Sequence, residues 1–197
     1  MSLSSSGKKT KIPPLKRSGD RWRGVAEAMT AMTSSPDRIT LSDTVEAVVS
    51  ESLDADGCAF IVLDESVDQI VFETQQKLFH PYNPPPDFNA FRSWLSTCSA
   101  STVIDDCRIV DWPVIIGSNV PQLSHPVIII QEQVDPALYV LLVVYGRSAE
   151  TRFTDEDVEV ARALTCHAGL AVRHVLREEN ARREVMGRTA LYEVGKR

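Results

Sequence analysis

Six consecutive apolar residues, Cys58-Ala59-Phe60-Ile61-Val62-Leu63, follow the turn dipeptide Asp56-Gly57. A strand with one wet face alternates apolar and polar residues, so an unbroken apolar run predicts a strand covered on both faces. Any fold for this chain must put a layer on each side of that strand. A loop at 64–68 and the run Gln69-Ile70-Val71-Phe72-Glu73 predict a returning strand, making a hairpin. Two further runs, Pro126–Ile130 and Leu138–Tyr145, are the strongest strand signals, joined by Gln131–Ala137. Thr102-Val103-Ile104 predicts a short strand, stopped by Asp105-Asp106.

Helical spacing flanks these strands. Val25, Ala28, Met29 and Met32 fall at i, i+3, i+4 and i+7 in a helix that starts near Trp22 and is ended by Ser34-Ser35-Pro36. A second helix is expected from about Leu41, with Leu41, Val45, Val48, Val49 and Leu53 as its apolar positions and Thr40 or Ser42 as its cap. A third, from about Asp87 to Thr97, carries Phe88, Phe91, Trp94 and Leu95. The stretch before it holds Pro81, Pro84, Pro85 and Pro86, which bars a regular helix or a central strand there. Thr154 and Asp157, three apart, predict a capping-box start to a last helix running beyond Leu176 towards Leu191. The order ααββαβββα predicts an α/β chain of the α+β type, one antiparallel sheet with helices packed against it.

A chain of 197 residues, 43% hydrophobic and 24% charged, has the size and composition of one ordinary domain with extensions. Cys58, Cys98, Cys107 and Cys166 form no Cys-x-x-Cys pair, which argues against a zinc ribbon or a thioredoxin-type site. The Ser-rich start lacks the apolar core of a signal peptide, and no apolar run approaches the roughly 20 residues that span a bilayer. A cytoplasmic protein with reduced thiols is expected. Residues 1–23 carry seven Lys and Arg against Asp20, a local charge of +6 that leaves −12 for 24–197 within the chain's −6. An acidic body is a poor nucleic-acid binder. The basic arm suits an acidic partner, a membrane surface or a nucleic acid, and its composition reads as a solvated leader. The expected organisation is a disordered basic leader at 1–19, a domain at 20–176 and a helical extension at 177–197.

Arg152-Phe153-Thr154-Asp155-Glu156-Asp157, the Ala-rich helix after it and the strand Leu138–Tyr145 before it resemble the C-terminal signature of the GAF domain family. The element order from Trp22 to Leu176 fits that family as well. The resemblance implies a six-stranded antiparallel sheet with the N- and C-terminal helices on one face. It implies a ligand pocket on the other face, roofed here by 75–122, in a small-molecule-binding and dimerising module of signalling proteins. Phe72, Trp94, Asp105, Asp106, Arg108, Asp111 and Trp112 fall near that expected pocket and offer apolar walls with polar groups, the mix a binding site needs. The aspartates disfavour an anionic ligand unless Arg92 or Arg108 compensates.

The resemblance brings four chemistries known in the family to bear on this sequence. Cyclic-nucleotide-binding members carry Asn-Lys followed by Phe-x-x-x-Asp-Glu. Here Phe153 and Asp157 match, Val158 replaces the Glu, and Gly146-Arg147 stands near the Asn-Lys. The resemblance implies an Arg147–Asp157 structural salt bridge and keeps a cyclic nucleotide as a possible ligand. Free methionine sulfoxide reductases use cysteines around the pocket, and Cys98 and Cys107 fit that in outline. Their nucleophile precedes the strand that opens at Pro126, where 117–125 holds no cysteine, and without it the mechanism fails. Cys166-His167 resembles a bilin-attachment dipeptide but falls on the last helix. His80, His125, His167 and His174 are candidate haem ligands in name alone, and His167 and His174 share a helix face without a carboxylate to complete a metal set. No residue reads as a nucleophile, general base or metal ligand. The expectation is a regulatory domain rather than an enzyme, without a metal or cofactor. A dimerisation scaffold with no ligand is the alternative.

The last helix is apolar on two sides, through Val158, Ala161, Thr165, Ala168, Val172 and Val175 and through Val160, Leu164, Ala171 and Leu176. A helix apolar on two sides must bury both. One side suits the sheet, and the other suits the first helix or a second subunit. A homodimer through Val25, Met29, Met32, Val172, Val175 and Leu176 is therefore expected. Val185, Met186, Ala190, Leu191 and Val194 continue a weak coiled-coil seam beyond the domain.

Overall fold

A computed structural model describes residues 18–67, 69–74, 93–94, 96–97, 100–105, 125–146, 148, 150 and 152–194, with backbone alone at 18 and 188–194. Its helices and strands run in the order α1 (Ser18–Thr33), α2 (Arg38–Ser52), β1 (Ala55–Asp64), β2 (Gln69–Glu73), β3 (Ser101–Ile104), β4 (Val127–Asp135), β5 (Leu138–Gly146) and α3 (Asp155–Val194). Residues 93–94 and 96–97 are also helical. Among the described residues the sheet has five strands in the order β2-β1-β5-β4-β3, and all four pairings are antiparallel. The expected leader lies outside the described residues apart from 18–19, where α1 begins.

The apolar run singled out in the sequence is the inner strand β1, held between β2 and β5. Its side chains alternate between two apolar layers. Cys58, Phe60 and Val62 join a cluster with α1, α2 and α3, while Ala59, Ile61 and Leu63 join a second cluster on the opposite face. β5 divides in the same way: Leu138, Val140, Leu142 and Val144 face the helices, and Tyr139, Leu141, Val143 and Tyr145 face away. This is why neither strand shows a polar alternation.

The helix ends follow local chemistry. Asp37 caps α2, accepting from the Thr40 N–H at 2.8 Å, and that bond holds its carboxyl below the usual range. The helix thus starts three residues before Leu41, and neither Thr40 nor Ser42 is the cap. Asp54, at φ 48°, takes the left-handed conformation that turns the end of α2 into β1. α3 opens as the sequence implies: the Asp157 carboxylate accepts from the Thr154 N–H at 2.6 Å, and the Thr154 hydroxyl accepts from the Asp157 N–H at 3.3 Å.

The expected dimer residues are corrected by the packing. Val25, Met32, Val172 and Val175 are buried in the chain's own core, and Met29 and Leu176 pack against it. α1 covers the second apolar side of α3, so the four buried side chains are not a surface for another copy, and Met29 and Leu176 are half-covered by the chain itself. Phe72 is corrected as well. It packs edge-on against Phe60, with ring centroids 5.9 Å apart, on the helix side of the sheet. A register shift makes Val62 pair with Phe72 but Leu63 with Ile70, leaving Val71 as a bulge. Without the bulge Phe72 would share a face with Ile70, and the extra residue turns it over.

α3 is 40 residues long, about 60 Å at the helical rise per residue. Its first half lies on the sheet and α1. Gly169 meets the β4–β5 hairpin there, where a Cβ would stand 2.6 Å from a Val134 methyl and 2.8 Å from a Val140 methyl. Residues 180–187 are exposed. No described helix is long and apolar enough to cross a membrane.

Candidate functional site

Two places in the described structure have the shape or composition of a site. The first is the sheet face turned away from α1, α2 and α3. Its floor is Ala59, Ile61 and Leu63 of β1, Val127 and Ile129 of β4, and Leu141 and Val143 of β5, all buried. Ile70, Trp94, Ile104, Tyr139 and Tyr145 stand around it, partly buried. The floor is wholly aliphatic and the rim supplies an indole and two phenols, the mix found in pockets for small organic ligands. Burial first, and then the charges of the Cys58, Glu46 and Asp56 groups, push the Tyr145 hydroxyl well above its ordinary range. It is a neutral hydrogen-bonding group at any physiological pH.

The structure brings Trp94 to this face and takes Phe72 to the other. Asp105 lies exposed just beyond the end of β3. Asp106, Arg108, Asp111 and Trp112 lie outside the described residues, as do Cys98 and Cys107. Tyr139 and Tyr145, absent from the expected site, pack against this face. The two-residue period within β5 was the signal: Tyr139, Leu141, Val143 and Tyr145 necessarily share one face.

The second place is an open groove of about 790 Å³ on the helix side, where α1, the end of α2 and the start of α3 meet. Asp20, Glu27, Glu51, Asp54, Glu156 and Asp157 line it, with Arg21 among them. Arg21 is fully engaged. It donates to the Asp157 carboxylate and to the Ser52 carbonyl, the latter at 3.0 Å, and its other terminal nitrogen lies 3.8 Å from Glu156. Asp157 loses solvation on burial, which opposes its charge. The Thr154 N–H, Arg21 and the Thr154 hydroxyl outweigh that and hold its carboxyl below the usual range. The groove is thus a tied junction of three helices. The expected partner of Asp157, Arg147, lies outside the described residues, and the described partner is Arg21.

The described cysteines are both on the helix side of the chain. Cys58 is buried in the core, and burial, then Glu46, push its thiol far up. Cys166 is exposed on α3, and its thiol is also raised, by desolvation and then Glu132, against Arg162. A raised thiol is a poor nucleophile at neutral pH. His167 shares a hydrogen bond of 2.9 Å with the Thr33 hydroxyl, and His174 lies 3.4 Å from Glu178. Among the described residues no three His, Cys, Asp or Glu side chains group as metal ligands.

No family model matches the chain, and no curated protein matches it. Solved structures do. The GAF domain of a phosphoenolpyruvate-protein phosphotransferase from Coxiella burnetii is 14% identical, with a TM-score of 0.58 over 84% of this chain and 99% of that one. The free methionine-R-sulfoxide reductase of Neisseria meningitidis, solved with its substrate, is 14% identical, with a TM-score of 0.58 over 85% and 96%. The GAF domain of the potassium sensor histidine kinase of Escherichia coli is 15% identical, with a TM-score of 0.50 over 81% and 98%. At such identities the likeness speaks to architecture. An antiparallel sheet with the terminal helices on one face, α+β in class, is what these proteins share with this one. The chain has the fold of the GAF domains.

Proposed function

We propose that the chain is a non-catalytic regulatory domain of intracellular signalling that takes a small molecule on the sheet face away from its helices. The observation that carries this reading is the second apolar layer, an aliphatic floor with Trp94, Tyr139 and Tyr145 at its rim. The ligand it suits is neutral or weakly polar, with a flat or aliphatic body and a group that hydrogen-bonds to a phenol. A cyclic nucleotide draws no support from Asp157, which is spent on Arg21 and on the start of α3. A sulfoxide reductase draws none from Cys58 or Cys166, whose thiols are raised and lie on the helix side. The test is a thermal-shift screen of small metabolites, with cyclic AMP, cyclic GMP and free methionine sulfoxide included. A hit whose shift disappears in Tyr145→Ala supports the reading. Turnover of methionine sulfoxide with a thiol reductant, or hits indifferent to every change on this face, would contradict it.

A second reading, self-association, rests on the exposed apolar side chains of α3, namely Leu170, Val185 and Met186. With Val25, Met32, Val172 and Val175 of the expected interface inside the core, this outer surface and the helical extension are what α3 offers a second copy.

A further inference from the structure

Arg38, the first residue of α2, touches two elements distant in sequence. Its Nε donates to both carboxylate oxygens of Glu179, at 3.0 and 2.9 Å, and its Nη2 donates to one of them at 2.7 Å. Its Nη1 donates to the Val71 carbonyl at 2.8 Å. A guanidinium is a rigid planar fork, so the carbonyl and the carboxylate constrain each other's position through it. A lysine ammonium, a point charge without that planar fork, would not hold the two in a fixed relation.

Both ends of this bridge lie at informative places. Val71 is the bulged residue of β2, so its carbonyl is displaced from regular pairing with β1. Its neighbour Ile70 packs against the apolar layer of the candidate site. Glu179 is the partly buried residue of α3 immediately before 180–187, all of which are exposed. The bridge therefore joins a strand that borders the site to the point where the long helix leaves the body.

We propose that Arg38 is a coupling residue that links the position of β2 at Ile70–Val71 to the order of the helical stem from Glu179 onward, so that occupancy of the sheet face is read out in the stem. The role in read-out rests on the ligand reading above; the mechanical link does not. A molecule that presses on Ile70 shifts the adjacent Val71 carbonyl, tilts the guanidinium and weakens its grip on Glu179. Conversely, a stem held by a partner fixes Glu179 and stiffens β2, as reciprocity between coupled sites demands.

The test is hydrogen exchange of the ligand-free chain, comparing the parent protein with Glu179→Gln, Arg38→Met, Arg38→Lys and the double variant E179Q/R38M. Both positions are at the surface, and melting curves check that each variant is folded. Glu179→Gln leaves every contact of β2 in place except through Arg38, but it also removes the pairing of Glu179 with Arg183, 3.7 Å away within α3, so its effect at 70–72 is the one that reports the bridge. The expected result is exchange faster by roughly two- to fivefold, the scale of a partly exposed ion pair, at amides of both 70–72 and 177–184. Arg38→Met should do the same, Arg38→Lys should fail to restore protection, and at 70–72 the double variant should add little to either single one. Acceleration confined to the stem in Glu179→Gln, or effects that multiply in the double variant, would overturn the link. The ligand reading stands or falls separately, on the binding screen.

Discussion

Arg21 and Asp157 join α1 to the start of α3, and their environment sets the pH response of that junction. Asp157 has a folded pKa below its ordinary 3.8, so its contribution is present above that value and is lost as pH falls through the lower folded one. Asp157→Asn should cost about 1–3 kcal/mol near neutral pH, the cost of leaving a largely buried Arg21 without its charged acceptor. Chemical denaturation at a series of pH values should also show a weaker acid-side loss below pH 4 in this variant than in the parent. Gly169 has a packing reason to be glycine. Gly169→Ala gains helix propensity but drives a methyl into Val134 and Val140, and a net loss of about 1–2 kcal/mol is expected from urea melts. Asp54 is the opposite case. At φ 48° a glycine is unstrained, so Asp54→Gly should stabilise by up to about 1 kcal/mol, whereas Asp54→Val should destabilise.

At the scale of elements, α3 explains both a success and a failure of reading the sequence. Thr154 and Asp157 stand at capping-box spacing, and the structure uses them so, because a cap depends on residues three apart and on little else. The two-sided apolar pattern was equally legible. What it could not say was which neighbour takes the second side, since α1 and a second copy offer the same apolar chemistry. Phe72 failed for a related reason. A bulge at Val71 inverts every later face of β2, and nothing in Gln69–Glu73 announces it. Tyr139 and Tyr145 were legible from the period of β5, but they lie outside the middle of the chain, where the family resemblance puts the pocket. The exposed stem gives this scale its prediction. If self-association runs along α3, Val185→Glu with Met186→Glu should convert a dimer to a monomer in analytical ultracentrifugation while leaving the thermal midpoint within a degree or two, because both side chains are exposed. A dimer that persists would move the interface to another surface.

For the molecule as a whole, the unbroken run Cys58–Leu63 carried the main result. A strand buried on both faces demands two layers, and only one of them is supplied by α1, α2 and α3. The element order and antiparallel pairing followed from periodicity and turns, which are local signals. The identity of a ligand is not a local signal. It depends on which side chains converge from separate elements, and Trp94 comes from a part of the chain distant from Tyr139 and Tyr145 of β5.

Whether the sheet face beyond the helices takes a small molecule is decided by native mass spectrometry of the purified protein, referenced to its denatured mass. A non-covalent added mass that vanishes on denaturation and is reduced in Tyr145→Ala is expected. A bare chain, alone or as a dimer, that also stays bare after incubation with a metabolite extract would contradict it and leave the domain as a scaffold.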